Sequence, residues 1–316
     1  MNLKINKKNL EKSLKKGSIL INKGELVIFP TETVYGIGAD ATNPKAINKI
    51  YKVKKRPRNN PLICHFYNFK KIQNEFKVNL LCKKLAKKFW PGPLTLILEK
   101  KNDSKINEIL SNNNKFVGCR IPSNKIARKL LKSINVPIAA PSANISTKLS
   151  ATNTYSIDKR LKNKVHIIDG GSSKLGLEST VVDLTKKHPK ILRFGSITVE
   201  EIKKIIPEIK FEKNKSFLSP GTLAKHYSPE KKIRINIKKV LKNEVLLNFG
   251  KNNLYSKIFQ LNLSLNGDLK EASKNFYYFM HRLDKIDNIS IAIAPIPNIG
   301  LGKTINDRLK RAISKN

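Results

Sequence analysis

Hydrophobic and polar positions along the chain alternate between short apolar runs and longer amphipathic segments, a pattern that predicts an α/β protein. The apolar runs predict strands at 25–30, 61–66, 94–100, 117–121, 136–140, 165–171, 191–197, 244–250 and 290–297. Within 175–184, a loop is expected to enter a further strand at Ser179 and Thr180. Helical spacing predicts helices at 1–24, from Pro44 onward, at 80–89, 124–134 and 151–164, from Thr198 onward, and at 268–285 and 304–314. Because strands and helices follow one another without strict alternation, we expect a twisted mixed sheet.

The central part of the chain places polar groups directly after apolar elements. One apolar run ends at Arg120, an amphipathic helix over 124–134 follows, and a second apolar run over 136–140 leads into PSAN at 141–144. This turn offers backbone N–H, hydroxyl and amide groups beside an arginine, which indicates an anion or nucleotide site. The alternative is a helix that begins at Ser142, since serine is an ordinary N-cap residue.

The segment PTETVYGIGADATN, which follows the first predicted strand, is rich in turn residues and hydroxyls. Its side chains Thr31, Glu32, Thr33 and Tyr35 could line a polar pocket at the carboxyl end of a strand, where open α/β sheets bind ligands. An ordinary strand–loop–helix connection is the alternative. The glycine pair GIG is too short for a dinucleotide-binding fingerprint.

Two cations, Lys54 and Arg56, lie two positions apart at the end of a predicted helix. Pro57 favours an extended chain before it, and residues two apart in an extended chain point the same way. Both cations could therefore contact one anion. The alternative is a charge run that is simply solvated.

The formal charge of +40 over 316 residues raises the possibility of nucleic-acid binding. Lysine is spread over nearly every segment, however, and basic residues do not alternate with aromatic ones as on a single-strand platform. We expect weak, salt-sensitive attraction to RNA. An RNA-binding or ribosome-maturation module remains the alternative function.

The three cysteines are far apart and form no CxxC pair, so the sequence predicts neither a disulfide framework nor a metal site. No apolar run approaches the roughly 20 residues of a membrane span. The basic N-terminus lacks the apolar block of a signal peptide. We expect a cytoplasmic protein that does not associate with membranes.

The composition predicts two domains joined by a linker. Residues 1–207 carry most predicted strands, 208–230 form the linker, and 231–316 form a small α/β unit. The linker contains SPGTLAKHYSP, whose Gly221, Lys225, His226 and Tyr227 make it a candidate lid. A structured connector with a buried tyrosine is the alternative. GLGKT near the C-terminus is not a P-loop, because the required earlier glycine is a proline.

Eight motifs in order resemble the threonylcarbamoyl-AMP synthase family in its long, two-domain form. They are FPTETVYGIGA, KKRPRNNPLICH, WPGPLT, CRIP, PIAAPSAN, IIDGG with LESTVVDL, LRFG and SPGTLAKHYSP, and the tail GLGKTINDRLKRA is similar to the end of that form. The resemblance implies a YrdC-type twisted mixed α/β sheet around a basic cavity, followed by a small Rossmann-like C-terminal domain.

The resemblance also implies the reaction. A nucleotidyltransferase of this kind converts L-threonine, bicarbonate or carbon dioxide, and ATP with Mg²⁺ into threonylcarbamoyl-AMP and pyrophosphate. A downstream tRNA threonylcarbamoyl transferase then uses the product to make N6-threonylcarbamoyladenosine at tRNA position 37. Carbamoyl transferases of hydrogenase maturation share the YrdC-type domain, but their acylphosphatase and zinc-finger segments are not visible here.

Residue by residue, the resemblance implies two neighbouring subsites. Lys54 and Arg56 match the KxR motif and would be catalytic. Phe116 stands where relatives often carry threonine, so only its backbone could contact ATP. The implied ATP-binding residues are Arg56, Asn60, Phe116, Ser142, Ser150, Arg193 and Tyr227, and the implied threonine-binding residues are Thr33, His65, Arg120, Ala140 and Ser179.

Overall fold

The structure, a computed structural model, describes residues 7–212, 226–287 and 289–313. Within these ranges the α-helices are α1 (Lys7–Asn22), α2 (Pro44–Lys54), α3 (Phe69–Glu75), α4 (Leu80–Phe89), α5 (Lys125–Ser133), α6 (Lys159–Lys162), α7 (Val199–Lys203), α8 (Leu269–Asp284) and α9 (Gly300–Ile313). The strands are β1 (Val27–Phe29), β2 (Gly36–Asp40), β3 (Ile63–His65), β4 (Leu94–Glu99), β5 (Phe116–Arg120), β6 (Ile138–Ala139), β7 (His166–Ile167), β8 (Thr180–Asp183), β9 (Lys190–Arg193), β10 (Lys210–Phe211), β11 (Ile233–Ile235), β12 (Glu244–Asn248), β13 (Gln260–Asn262) and β14 (Ser290–Ile293).

The larger sheet formed by the described residues has the strand order β10-β9-β8-β4-β5-β3-β6-β2-β1-β7. The pairs β10–β9, β8–β4, β5–β3 and β1–β7 are parallel, and the other neighbours are antiparallel. The prediction of a mixed sheet is therefore confirmed. The strands β3, β5 and β6, which carry His65, Arg120 and the approach to Ala140, lie next to one another at its centre.

Both faces of this sheet are covered by helices. Alternate residues of β1 point to opposite faces, so Ile28 belongs to one core and Val27 and Phe29 to another. The first core contains the apolar stripes of α2 and α4, and the second those of α1 and α5. The site residues at the strand ends are consequently held between two packed layers.

The second sheet has the order β11-β14-β12-β13, and all its described pairs are parallel. Val245 and Leu247 of β12 face a core that contains residues of α8 and α9, whereas Leu246 faces a smaller cluster with Ile237 and Ala292. This parallel unit of strands and helices agrees with the expected Rossmann-like C-terminal domain.

The helix ends follow the expected capping chemistry. The Asn43 side chain accepts hydrogen bonds from Lys45 N and Ala46 N at the start of α2, where Pro44 occupies the first turn. Thr198 and Glu201 form a reciprocal capping box at α7. These local signals placed both helix starts correctly.

Three local predictions were wrong. The turn-rich segment after β1 contains the strand β2, whose Gly38 allows Phe29 and Ile138 to pack closely. Residues 151–164 form a 3-10 turn and the short α6, because Asn153 and Asp158 each cap a new turn. The alternative helix at Ser142 does not form, since Ser142 makes a β-bridge with Gly36 instead.

The division into domains and a linker stays a prediction. The strand β10 pairs with β9, so the large sheet continues through Phe211. Residues 213–225 of the expected lid, with Gly221 and Lys225, lie outside the described residues, whereas His226 and Tyr227 lie within them. None of the described helices is both long and apolar enough to span a bilayer.

Candidate active site

A cavity lies at the ends of the central strands, beside the C-terminal domain. It brings together nine of the thirteen residues that the family resemblance assigns to the two subsites, with several others. The lining consists of Thr31, Thr33, Val34, Tyr35, Gly36, Arg56, Ile63, His65, Arg120, Ala140, Pro141, Ser142, Glu178, Ser179, Arg193, His226 and Tyr227.

One wall of the cavity is a tight turn directly after β1. The Thr31 hydroxyl donates to Val34 O at 2.6 Å and accepts from the backbone N–H of Thr33 at 3.2 Å. This turn presents the Thr33 hydroxyl and the Glu32 carboxylate to Arg120, which lies at the end of β5. The polar pocket expected in this segment is therefore present.

The Arg120 side chain is buried and held on three sides. Its Nη2 donates to Glu32 Oε1 at 2.5 Å, its Nη1 to Thr33 Oγ1 at 3.0 Å, and its Nε to Gly92 O at 3.3 Å. A guanidinium has five N–H donors, so two remain after these contacts. Guanidinium N–H groups are donors that a carboxylate accepts from.

Lys54 and Arg56 both serve the site, but not through an extended chain. Lys54 is the last residue of α2, and Lys55 follows in the left-handed conformation with φ 52°. Lys54 Nζ donates to Ser142 O at 2.5 Å and to Asn144 O. Arg56 lines the cavity itself. The helix end and the left-handed cap, rather than an alternating strand geometry, therefore set the directions of the two cations.

Arg56 is positioned by neutral oxygen atoms. Its Nη2 donates to Asn60 Oδ1 at 2.5 Å and to Pro61 O at 2.7 Å, and its Nε donates to Asn60 O at 2.9 Å. The ion pairs among the described residues do not include Arg56. Burial lowers its pKa to about 10, so the side chain remains a cation at neutral pH. An anionic ligand would supply the missing countercharge.

The PSAN turn closes the side of the cavity near α2. The Ser142 hydroxyl donates to Asn144 Oδ1 at 2.5 Å, and the Asn144 amide donates to the carbonyl oxygens of Ile145 and Lys148 at 2.8 Å. The turn is thus held by its own hydrogen bonds and by the bond from Lys54 Nζ to Ser142 O. Ser142 of this turn and the preceding Ala140 line the cavity.

The opposite side is built by Ser179 and Arg193. Arg193 donates to Ser179 O and Ser179 Oγ at 2.8 and 2.9 Å, and Ser179 Oγ lies 2.7 Å from Thr95 Oγ1. The backbone next to Ser179 is packed closely against Gly195, where an added Cβ would lie 2.2 Å from Thr180 N. The glycine permits the backbone of residues 194–196 to lie against Ser179.

A second carboxylate, Glu178, lies behind Ser179 and connects the two domains. Its Oε1 accepts from Ser150 Oγ at 2.6 Å and from the Tyr277 hydroxyl at 2.9 Å, and its Oε2 accepts from Arg308 Nε at 3.0 Å. Burial would raise the pKa of Glu178, but the charges of Arg308 and Arg193 hold it below its usual value. The group is therefore an anion within a cationic site.

Tyr227 closes the cavity from the linker side. It is 2% exposed, with φ 62°, and the Arg308 guanidinium lies 4.6 Å from its ring centroid. The His226 ring lies 3.9 Å from the Tyr227 ring. The expectation that Tyr227 contributes to the site agrees with this position.

Buried polar atoms without a partner among the described residues cluster around this cavity. They are Asn60 Nδ2, His65 Nδ1, His226 Nδ1, Tyr227 OH and, next to the PSAN turn, Ser146 Oγ. Native proteins leave few such atoms unpaired, so a cluster of them indicates a ligand. Burial, assisted by the Arg120 charge, lowers the pKa of His65 to about 3, so that its ring is neutral at physiological pH.

Four of the predicted site residues do not line the cavity. Lys54, Asn60 and Ser150 contact lining residues through the hydrogen bonds given above. Phe116 lies at the other end of β5 from Arg120, about 13 Å away for four residues of strand, and packs with Ile97, Val181 and Leu192. Its apolar partners explain why the structure keeps Phe116 out of the cavity.

Three polar residues at or behind the cavity, Glu178, Tyr277 and Arg308, were not predicted from the sequence. A signal existed for two of them. Glu178 is a charge between apolar residues at the start of LGLESTVVDL, and Arg308 lies at helical spacing from Thr304 and Ile305 on the buried face of α9. No local pattern distinguishes Tyr277 from the other aromatic residues of α8.

Fold and cavity together define an α/β protein with a cavity lined by three buried arginines. Comparison with known proteins identifies the class further. The family model described as "Telomere recombination" matches residues 19–195, and the model described as "Threonylcarbamoyl-AMP synthase, C-terminal domain" matches residues 197–314.

Similar proteins match over nearly the whole chain. The Threonylcarbamoyl-AMP synthase of Pyrococcus abyssi is 35% identical, with 92% of this chain and 91% of the relative covered. That of Bacillus subtilis is 33% identical, with 93% and 90% covered. A crystal structure of P. abyssi Sua5 complexed with L-threonine has a TM-score of 0.86 at 32% identity and covers 95% of this chain and 94% of its own. The chain therefore belongs to the threonylcarbamoyl-AMP synthase family, in its two-domain form.

Proposed function

We propose that this protein is an L-threonylcarbamoyladenylate synthase. It forms threonylcarbamoyl-AMP and pyrophosphate from L-threonine, bicarbonate or carbon dioxide, and ATP. The observation that carries the proposal is the burial of three guanidinium groups, those of Arg56, Arg120 and Arg193, in the lining of one cavity. Glu32 forms an ion pair with Arg120, and Glu178 lines the same cavity. The Arg56 guanidinium donates to neutral oxygen atoms of Asn60 and Pro61, so its charge favours a polyanion such as a triphosphate.

The two ends of the cavity suit two different ligands. We assign the nucleotide phosphates to the side where Arg56, Ser142 and Arg193 lie, with Lys54 behind the PSAN turn. Charge-assisted hydrogen bonds to phosphate are about twice as strong as neutral ones. Asn60 supports Arg56, and its unpaired Nδ2 could donate to the same phosphates.

We assign the L-threonine to the side where Arg120 lies. The two remaining N–H donors of Arg120 match a carboxylate, and the hydroxyls of Thr33 and Ser179 can bond the polar groups of the amino acid. His65 and Ala140 complete this subsite. Because the His65 ring is neutral, it adds no positive charge beside the amine of the substrate, which must lose a proton to react.

The reaction needs no covalent intermediate with the protein. The free amine of threonine attacks the carbon of carbon dioxide, forming a C–N bond and releasing a proton, and yields a carbamate. A carbamate oxygen then attacks the α-phosphorus of ATP, and the bond to the β-phosphate oxygen breaks as pyrophosphate leaves. Holding both reactants in one cavity can contribute roughly 7–11 kcal/mol to catalysis. The cationic groups stabilise the charge that moves onto the leaving pyrophosphate.

Magnesium enters this proposal as part of the substrate MgATP. The described residues contain no group of three or more His, Cys, Asp or Glu side chains that could hold a metal ion. Magnesium at nucleotide sites is commonly bound by the substrate phosphates with one or two carboxylates and several waters. We assign the Ser142 and Ser150 hydroxyls to the triphosphate that carries the ion.

The lid and the later steps are also part of the proposal. Tyr227 and His226 cover the cavity and would keep water from the labile carbamate. The product would pass to a tRNA threonylcarbamoyl transferase in the cytoplasm, for modification of tRNA position 37. The dispersed positive charge would give no more than weak, salt-sensitive contact with tRNA.

The test is pyrophosphate release from ATP with the purified protein. The proposal requires release that depends on both L-threonine and bicarbonate, and a product with the mass of threonylcarbamoyl-AMP. Omission of either substrate should abolish release. RNA binding with no threonine-dependent release would instead favour a ribosome-maturation or RNA-binding module.

A further inference from the structure

Three residues bury a polar contact between the two domains directly behind the cavity. Arg308 of α9 is 0% exposed and Glu178 is 5% exposed. Arg308 Nε donates to Glu178 Oε2 at 3.0 Å, and Arg308 Nη2 donates to Phe194 O at 2.6 Å. The Tyr277 hydroxyl of α8 donates to Glu178 at 2.9 Å. Both C-terminal helices therefore bind one carboxylate of the first domain.

This contact continues into the proposed nucleotide subsite in two directions. Ser150 Oγ donates a hydrogen bond to Glu178 Oε1 at 2.6 Å. The single O–H of Ser150 therefore points at Glu178, and the oxygen lone pairs point in other directions. The Arg308 guanidinium lies 4.6 Å from the ring centroid of Tyr227, within the range of a cation–π contact. Arg308 therefore contacts Glu178, which binds the Ser150 hydroxyl, and also the ring of Tyr227. Both Ser150 and Tyr227 are assigned to the nucleotide.

A purely structural role is a weak explanation for these groups. A buried ion pair is often no more stabilising than apolar residues of similar volume, because both charges lose their hydration. The same helix provides a surface pair between the domains, Lys303 with Glu200 at 2.6 Å, where the desolvation cost is small. The buried Arg308–Glu178 pair lies next to the cavity, where it can orient polar groups that bind a ligand.

We propose that Arg308 and Tyr277 are positioning residues of the nucleotide subsite. They fix Glu178, which sets the direction of the Ser150 hydroxyl, and Arg308 also supports the ring of Tyr227. The C-terminal domain therefore forms the rear wall of the site and contributes to ATP binding. This inference rests on the proposed function for the identity of the ligand.

The test compares full-length variants by calorimetric Kd for ATP, by KM for ATP and for threonine, and by Tm. The variants are Tyr277→Phe, Arg308→Met and the double variant Glu178→Gln with Arg308→Met. Lys303→Met is the matched control, because it removes a cation that joins the same helix to the first domain at the surface. We expect Lys303→Met to retain the ATP affinity of the unmodified protein.

We expect Arg308→Met to weaken ATP binding about tenfold or more, the effect of losing one charge-assisted contact, and to change the KM for threonine far less. Tyr277→Phe should weaken ATP binding by about threefold, since it removes one neutral hydrogen bond. The double variant removes both charges of the pair, so its Tm should recover towards that of the unmodified protein while its ATP affinity does not.

A merely structural contact would give a different set of results. Recovery of ATP affinity together with Tm in the double variant would overturn the inference. ATP affinities of Tyr277→Phe and the double variant equal to that of Lys303→Met would also overturn it, even if Arg308→Met failed to fold. Failure of the proposed function is distinguishable, because the unmodified protein would then release no pyrophosphate, whereas the calorimetric comparison does not depend on turnover.

Discussion

Replacing Arg120 by lysine separates the charge of this side chain from its geometry. The variant retains a cation for the buried Glu32, which Arg120 contacts at 2.5 Å, so the carboxylate is not left unpaired. Removing the cation altogether would confuse the measurement, since breaking a buried ion pair costs about 3–5 kcal/mol of stability. Lysine has three N–H donors on one atom and cannot reproduce the planar fork.

The size of the effect follows from the donor inventory. Arg120 uses three N–H groups for Gly92 O, Thr33 Oγ1 and Glu32 Oε1, and two remain for the carboxylate of threonine. A lysine that keeps Glu32 and one carboxylate oxygen loses at least one charge-assisted bond to the substrate, worth about 1.5–3 kcal/mol. We expect kcat/KM for threonine to fall roughly 10- to 150-fold.

The assay is pyrophosphate release as a function of threonine concentration at saturating ATP, with calorimetric Kd for ATP measured beside it. Arg128→Lys is the matched control, because Arg128 lies on α5 over the Tyr67 ring, away from the cavity. ATP affinity should be nearly unchanged in both variants. Equal kcat/KM values for threonine in Arg120→Lys and Arg128→Lys would refute the assignment of Arg120 to the carboxylate.

Three further predictions concern the lid, a close backbone contact and acid stability. Tyr227→Phe removes a buried hydroxyl that has no partner among the described residues, so Tm should not fall. The ATP affinity measured by calorimetry should fall about 3- to 10-fold, because the hydroxyl bonds the nucleotide. An unchanged ATP affinity would contradict this contact. Gly195→Ala places a methyl group 2.2 Å from Thr180 N. We expect the free energy of unfolding, measured with urea, to fall by about 1–3 kcal/mol, and the KM for threonine to rise. Unchanged values of both would contradict the role of Gly195. Burial lowers the pKa of His65 to about 3 and holds that of His226 well below its ordinary value. These rings take up protons in the unfolded chain but not in the folded one, so stability is retained above pH 6.5 and falls below it, by about 1.4 kcal/mol per pH unit for each histidine. Urea unfolding from pH 8 to pH 5 checks this, and His65→Gln should reduce the slope; a stability independent of pH over this range would contradict it.

Many residues of the candidate site could be predicted from the sequence, because they directly follow apolar runs that predict strands. Arg120 ends an apolar run, and the PSAN turn follows another, so both were placed at strand ends correctly. The adjacency of these strands could not be read locally. The strand β3 pairs with both β5 and β6, and that order results from packing between segments distant in sequence.

The errors arose where long-range contacts override local preference. The glycine-rich segment 36–40 is a strand because neighbouring strands pair with it on both sides. Arg56 reaches the cavity after a left-handed residue, Lys55, which ends α2 and which no lysine pattern predicts. The contact between Glu178 and Arg308 joins residues 130 positions apart and belongs to two domains.

The central claim is that one cationic cavity binds the phosphates of ATP and the carboxylate of threonine side by side. A crystal structure with a non-hydrolysable ATP analogue and L-threonine tests it most directly. We predict the threonine carboxylate on the two remaining donors of Arg120, and the phosphates within hydrogen-bond distance of Arg56 and Ser142. Phosphates bound elsewhere on the surface, or threonine without contact to Arg120, would contradict the account.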